Sequence, residues 1–91
     1  MKIAYPMRFQ REEEGPGWWA QGLAPLEDVM TQGDTLEQTR ARAREALSVV
    51  LELMLDQGRR VPRPFSMPGM GVELVEPEAD VVPRLVKLFA R

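Results

Sequence analysis

The sequence predicts an α+β fold: an antiparallel β-meander, a long helix, a further strand and a short C-terminal helix. Apolar and polar residues alternate in the first third of the chain, which is typical of half-buried strands. Helical spacing then replaces this alternation, and a segment rich in Pro and Gly separates the helix from a last apolar stretch. For a chain of 91 residues we expect one domain over 1–91, with a core at 2–64 and a C-terminal strand and helix at 72–90.

The first strand is predicted at residues 2–9, where side chains of opposite character alternate. Its expected buried face consists of Ile3, Tyr5, Met7 and Phe9. Because Pro6 has no amide hydrogen to donate, we expect an unpaired edge or a bulge at this position. The charged residues 10–16 then form a hairpin loop.

The second strand, predicted at 17–23, carries two adjacent tryptophans, Trp18 and Trp19. Neighbouring side chains in a strand point to opposite faces. One tryptophan should therefore enter the core while the other needs a different cover, and the pattern leaves open which is which. A turn at 24–28 leads to a short third strand at 29–32.

The long helix is predicted to begin near Thr35 and to stop at Gly58, a residue suited to a left-handed C-cap. A capping box is indicated either by Thr35 with Gln38 or by Asp34 with Glu37. The apolar stripe of the helix consists of Leu36, Thr39, Ala43, Ala46, Leu47, Val50 and Met54.

Three further apolar residues of this helix, Val49, Leu51 and Leu55, lie off the stripe. One sheet cannot cover so much of the helix circumference, so a second element must pack there. The C-terminal helix is one candidate and a second subunit is the other. We predict a homo-oligomer with these three residues at its interface.

After the helix, residues 59–71 form a connector rich in Pro and Gly, and 72–75 are predicted as the fourth strand. Because a long helix precedes this strand, we expect it to lie parallel to a meander strand through a right-handed crossover. A short helix at 78–90, capped by Asp80, completes the chain.

Composition narrows the classes of function. The chain has no Cys and no His, so it lacks thiolate chemistry and the commonest acid–base and metal-ligating side chain. Its net charge of −2 is untypical of nucleic-acid-binding domains. No apolar run approaches a membrane span, and no signal-peptide pattern opens the chain. We expect a cytoplasmic protein without enzymatic activity, cofactor or membrane contact.

The order of several motifs resembles the HicB-like antitoxin family over residues 3–64. In chain order, these motifs are Gly17-Trp18-Trp19-Ala20, the Pro25-Leu26 turn, Thr31-Gln32-Gly33-Asp34-Thr35-Leu36-Glu37, an Ala-containing helix, Gly58 and Val61-Pro62-Arg63-Pro64. The resemblance implies a partial ribonuclease-H-like fold. It also implies a small basic HicA-like toxin as partner, whose mRNA-cleaving surface the domain would mask. Only about twenty residues follow the connector, so we expect no direct DNA binding.

The residues expected to contact such a partner are Trp18 or Trp19 and the turn acids Glu27 and Asp28. Tryptophan is enriched at interface hot spots, although a core position for one ring and a rim position for the other would also explain the pair. Carboxylates would favour encounter with a basic partner, although solvated loops would explain them equally well. The acids at 12–14 are expected to be a solvated loop tip.

Two other functions are compatible with the same residues. The chain could be a stand-alone homo-oligomer that has no toxin partner. It could also be a minimal carboxylate–metal nuclease, in which Asp34 or Glu37 would be required. The predicted strand positions Ile3, Tyr5 and Met7 carry no acid, which disfavours the nuclease.

Overall fold

A four-stranded antiparallel sheet with a long helix on one face forms the framework of the molecule. The computed structural model describes residues 2–90; the predicted domain bounds also include Met1 and Arg91, which lie outside this range. The elements are β1 (Tyr5–Arg11), β2 (Trp18–Gly22), β3 (Met30–Gly33), α1 (Leu36–Asp56), β4 (Val72–Val75) and α2 (Val82–Phe89). The strand order is β3-β2-β1-β4. The predicted α+β class is thereby confirmed.

The first strand supplies the centre of the core. Its alternating face is buried as predicted: Ile3, Tyr5, Met7 and Phe9 are each at most 5% exposed. Pro6 stands opposite Leu74 of β4, whereas the ladder to β2 begins only at Met7, opposite Gly22. The Pro6 carbonyl accepts a hydrogen bond from the amide of Leu23 at 3.3 Å. The Pro6 nitrogen, which has no hydrogen to donate, therefore faces the residue just after the end of β2. The proline therefore removes no hydrogen bond from within either ladder, and no bulge is needed.

Helix α1 has specific caps at both ends. At its start, Thr35 Oγ1 accepts from the amide of Gln38 at 3.0 Å, and Gln38 Oε1 accepts from the amide of Asp34 at 2.7 Å. The first of the two predicted capping arrangements is therefore the one that forms. At its end Gly58 has φ of 67°. The amide of Gly58 donates to Leu55 at 3.2 Å and that of Arg59 to Met54 at 2.9 Å, the two bonds of a Schellman motif.

Strand β4 lies antiparallel to β1, and the predicted parallel crossover is wrong. The reason is the path of the connector. It passes Tyr5, whose hydroxyl donates to the Pro62 carbonyl, and it reaches Phe9, whose amide donates to the Gly71 carbonyl at 2.8 Å. The connector thus runs in the direction of β1. At Gly71, which has φ of 76°, the chain reverses and pairs back along the same strand.

The C-terminal helix contributes to the same core as α1. Val81, Leu85 and Phe89 are buried in one cluster with Leu47 and Leu51. An ion pair of 2.8 Å between Arg84 and Asp56 also joins α2 to the end of α1. The predicted cap at Asp80 is wrong. The N-cap residue is Val81, α2 begins at Val82, and no side chain forms a capping hydrogen bond.

Candidate protein-binding surface

The two adjacent tryptophans lie on opposite faces of the sheet. Trp18 shares the helix-covered face with Ala20, which is fully buried, and the Arg11 guanidinium lies 5.9 Å from the centre of its ring. Trp19 points to the outer face, opposite Gln32 of β3. Both rings are half-buried. Trp18 thus lies on the helix-covered face with Arg11 near its ring, whereas Trp19 lies on the outer face.

The outer face of β2 and β3 forms an open groove of about 630 Å³, hereafter the outer groove. Its lining residues are Glu12, Trp19, Gln21, Met30, Thr31, Gln32 and Arg42. Met30 is 59% exposed, which is high for a large apolar side chain in a strand. The groove therefore offers an aromatic and a thioether surface within a polar rim.

Arg42 extends from α1 to the groove and covers part of the edge strand β3. Its Nη1 donates to the carbonyl of Gln32 at 3.0 Å. The amide of Gly22 donates to the Val29 carbonyl, so Val29, Thr31 and Gly33 direct their backbone groups toward β2. The groups of the intervening residues point away from the sheet. Arg42 donates to one of these outward-facing carbonyls, so that carbonyl is not free to pair with an added strand.

One carboxylate, that of Glu12, lines the outer groove, and two more lie in the turn beyond its other end. Glu12 and its neighbours at 13–14 follow β1, next to the start of β2. Glu27 and Asp28 lie in the turn beyond the other end of β2, where Gln21 Nε2 donates to the Glu27 carbonyl at 3.0 Å. The five residues of β2 span roughly 13 Å from the first to the last Cα, at about 3.3 Å per step. All five acids are exposed.

Several acids within residues 2–90 form ion pairs, whereas the acids near the outer groove form none with the described residues. Among residues 2–90 there are three ion pairs: Arg40–Glu73, Arg44–Glu78 and Arg84–Asp56. None of them includes an acid at either end of the outer groove. The paired acids connect elements of the fold, whereas the groove acids face solvent.

The structure brings together part of the predicted contact set. Trp19 lines the outer groove, and Gln21 of the same lining donates to the backbone carbonyl of Glu27 in the neighbouring turn, while Trp18 lies on the other side of the sheet. Sequence reasoning missed Met30, Gln21 and the rest of the groove lining. The alternation of Trp19 with Gln21 and of Met30 with Gln32 was the available signal, since each pair shares a face of its strand.

The three residues predicted to form an oligomer interface differ in their exposure. Leu51 is fully buried within one chain, so its assignment to an interface is wrong. The reason is that α2 and the sheet already enclose this side of α1 in the common core. Val49 is 65% exposed, and Leu55 is half-buried. Leu53, one helical turn after Val49, is 48% exposed and was not predicted.

The groups with shifted pKa values lie outside the outer groove. Burial raises the pKa of Tyr5 far above its usual range. A hydrogen bond from Arg40 lowers the pKa of Glu73, and the same bond raises the pKa of Arg40. Both guanidinium contacts are 2.9 Å long. The pKa shifts of Arg40 and Glu73 reflect a contact between α1 and β4, and the pKa shift of Tyr5 reflects its burial in the core.

The described residues contain neither a cluster of metal-ligating side chains nor a helix that could span a membrane. Within 2–90, no three side chains of Asp, Glu, His or Cys are grouped so that they could hold a metal ion. No helix in this range is both long and apolar enough to traverse a bilayer. Asp34 and Glu37 are exposed at the start of α1, and the nuclease alternative that names them stays a prediction.

Fold and surface together define a small α+β domain with one sheet face covered by a helix and the other half open. Antitoxin HicB 2 from Photorhabdus laumondii subsp. laumondii is 29% identical to this chain over 86 residues. The match covers 94% of the chain and 58% of the relative. No family model matches the chain. This similarity confirms the resemblance to the HicB-like antitoxin family that the ordered motifs indicate.

Proposed function

We propose that the chain is an antitoxin-like binding protein that neutralises a HicA-type mRNA-cleaving toxin by covering its active surface. The observation that carries this proposal is the similarity to an antitoxin over 94% of the chain. The chain spans 58% of the length of that relative, so the proposal concerns what this domain does by itself. The partner would be a small basic protein.

The mechanism would be steric and electrostatic. The domain would bind over the surface that receives RNA, and the chain itself would perform no catalysis. Exposed acids at Glu12 and Glu27 would attract a basic partner, because complementary charge accelerates diffusional encounter. Apolar contact at Trp19 would then slow dissociation.

A neutralisation assay tests this function. The probe is the small basic protein encoded beside the gene of this chain, purified and added to a labelled mRNA. We expect cleavage to stop when the domain reaches equimolar amount with the toxin, and cell growth to recover on co-expression. Undiminished cleavage at a large excess of folded domain would rule the function out. The absence of such a toxin gene beside the gene of this chain would also count against the proposed function.

A stand-alone homo-oligomer is the second candidate, supported by the exposed side chains of Val49 and Leu53 on one face of α1. Apolar residues one helical turn apart commonly pack against another helix. Light scattering at increasing protein concentration distinguishes the candidates. A molar mass that stays at the monomer value would remove this candidate, whereas a dimer that Leu53→Glu dissociates would support it.

A further inference from the structure

We propose that the outer groove is the toxin-binding surface, and that it accepts an apolar side chain of the toxin flanked on both sides by Lys or Arg. This inference rests on the proposed function and adds to it the face of the domain and the chemistry of the bound segment. It depends on the apolar floor of the groove, on the charges at its ends and on the edge of β3.

The floor of the groove is suited to hold an apolar side chain. Trp19 is the second residue of β2 and lies on the outer face, and Met30 of the neighbouring strand is 59% exposed beside the same groove. Tryptophan dominates many binding interfaces, and methionine adapts its shape to different partners. The amides of Gln21 and Gln32 border this floor and can satisfy polar groups of the bound segment.

The ends of the groove define the charge of the partner. Glu12 lies at one end of the groove, and Glu27 with Asp28 lies in the turn beyond the other end. Two cations lie near the first end and keep their charge: Arg42, which donates to the Gln32 carbonyl, and Arg11, which lies over Trp18. The three acids Glu12–Glu14 outnumber these two cations at the first end. At the other end, neither Glu27 nor Asp28 takes part in an ion pair among residues 2–90. The net charge is therefore negative at both ends, and a segment with a basic residue on each side would match it.

A second copy of this chain is a poor occupant of the groove. A two-fold interface places the same patch of both subunits face to face. Because both ends of the outer groove are acidic, an arrangement that overlays one groove on the other brings Glu12 and Glu27 of one copy near acids of the other. Like charges across an interface are unfavourable. A foreign basic segment avoids this repulsion.

Side-chain insertion also fits the groove better than strand addition. The edge of β3 is short, and Arg42 occupies the outward carbonyl of Gln32. A partner strand would have to displace this guanidinium before it could pair. The outer face is accessible without such a rearrangement.

Binding kinetics of variants test the inference. The probe is a catalytically inactive form of the adjacent-gene toxin, measured against the full chain at low and high NaCl. Trp19→Ala should weaken binding by about 30-fold or more, mainly through faster dissociation. The double variant Glu12→Lys/Glu27→Lys should slow association and flatten its dependence on salt. Thermal unfolding of each variant checks that the fold is kept.

Two substitutions elsewhere serve as matched controls. Leu74→Ala removes a side chain that is 50% exposed on the same face but at the opposite edge of the sheet. Asp80→Lys reverses an exposed charge near the start of α2. We expect both to bind within about twofold of the unsubstituted chain, since neither borders the outer groove.

The outcomes separate the inference from the function on which it rests. If the unsubstituted chain does not bind or inhibit the toxin, the proposed function fails and the inference with it. If that chain inhibits normally and the groove variants bind as tightly as the controls, only the groove assignment is overturned. If Trp19→Ala instead converts a dimer to a monomer in light scattering, the occupant is a second copy and the assignment is wrong.

Discussion

The hydroxyl of Tyr5 donates a 2.7 Å hydrogen bond to the carbonyl of Pro62, joining the central strand to the connector 57 residues further along the chain. The tyrosine ring is completely buried and meets Phe65 edge to face at 6.2 Å between centroids. Burial raises its pKa far above the ordinary value, so the hydroxyl stays protonated and keeps its donor. This contact fixes where the connector starts its return along the sheet.

Replacing Tyr5 with Phe tests the contribution of this single bond. The change leaves the Pro62 carbonyl without its donor in a part-buried place. We expect the free energy of unfolding to fall by about 0.5–1.5 kcal/mol. Urea denaturation followed by circular dichroism measures it. An unchanged midpoint would indicate that water replaces the hydroxyl without cost.

Leu47→Ala should remove a fully buried core side chain. The expected loss is about 2–5 kcal/mol, from lost apolar burial together with the cavity that is left. The matched control is Val49→Ala on the same helix, which is 65% exposed and should change stability by less than about 0.5 kcal/mol. Equal losses for both variants would contradict the orientation of α1.

Gly71→Ala should disturb the reversal between the connector and β4. The glycine has φ of 76°, and an added Cβ would lie 2.7 Å from the Phe9 carbonyl oxygen. We expect a loss of more than about 1 kcal/mol in the free energy of unfolding. Gly15→Ala provides the control, because an added Cβ there meets no atom within 4 Å. A neutral Gly71→Ala would mean that the turn has another shape.

The contact of Arg40 with Glu73 should stabilise the fold only when the carboxylate is charged. The guanidinium hydrogen bond lowers the pKa of Glu73 below that of the unfolded chain, which is about 4.3. The folded state therefore binds fewer protons in this range, and its stabilisation is present above about pH 4.3 and declines as the pH falls through the lowered pKa. Because the side chains of Arg40 and Glu73 are 51% and 37% exposed, solvent screens the pair and the effect should be small.

The measurement compares unfolding midpoints of the unsubstituted chain and Glu73→Gln across this pH range. The two should differ at pH 7 and converge at low pH. Glu45→Gln, an exposed acid on α1, controls for the general change in net charge. A difference that grows on acidification would have the wrong sign for a lowered pKa.

Local chemistry explains why most elements could be predicted from sequence. Alternation placed the buried face of β1, Thr35 and Gly58 marked the ends of the long helix, and the fourth strand was predicted within its observed bounds. Each of these signals acts over a few residues. The direction of β4 was predicted wrongly because it depends on the connector path and on the turn at Gly71.

The candidate surface was only partly predictable for a similar reason. Adjacent tryptophans on a strand must face apart, but the pattern alone does not show which face a helix covers. That choice depends on how α1 packs across the sheet and on the position of Arg11 over Trp18. Leu51 illustrates the same dependence, since its cover comes from packing among elements distant in sequence.

The opposite orientations of Trp18 and Trp19 provide two separate optical reporters. Replacing Trp18 with Phe leaves one indole, which lies in the outer groove and whose emission should respond to complex formation. Replacing Trp19 with Phe leaves the indole on the helix-covered face, which should respond to loss of packing instead. Intrinsic fluorescence can therefore follow binding and unfolding independently in a chain that carries no added dye.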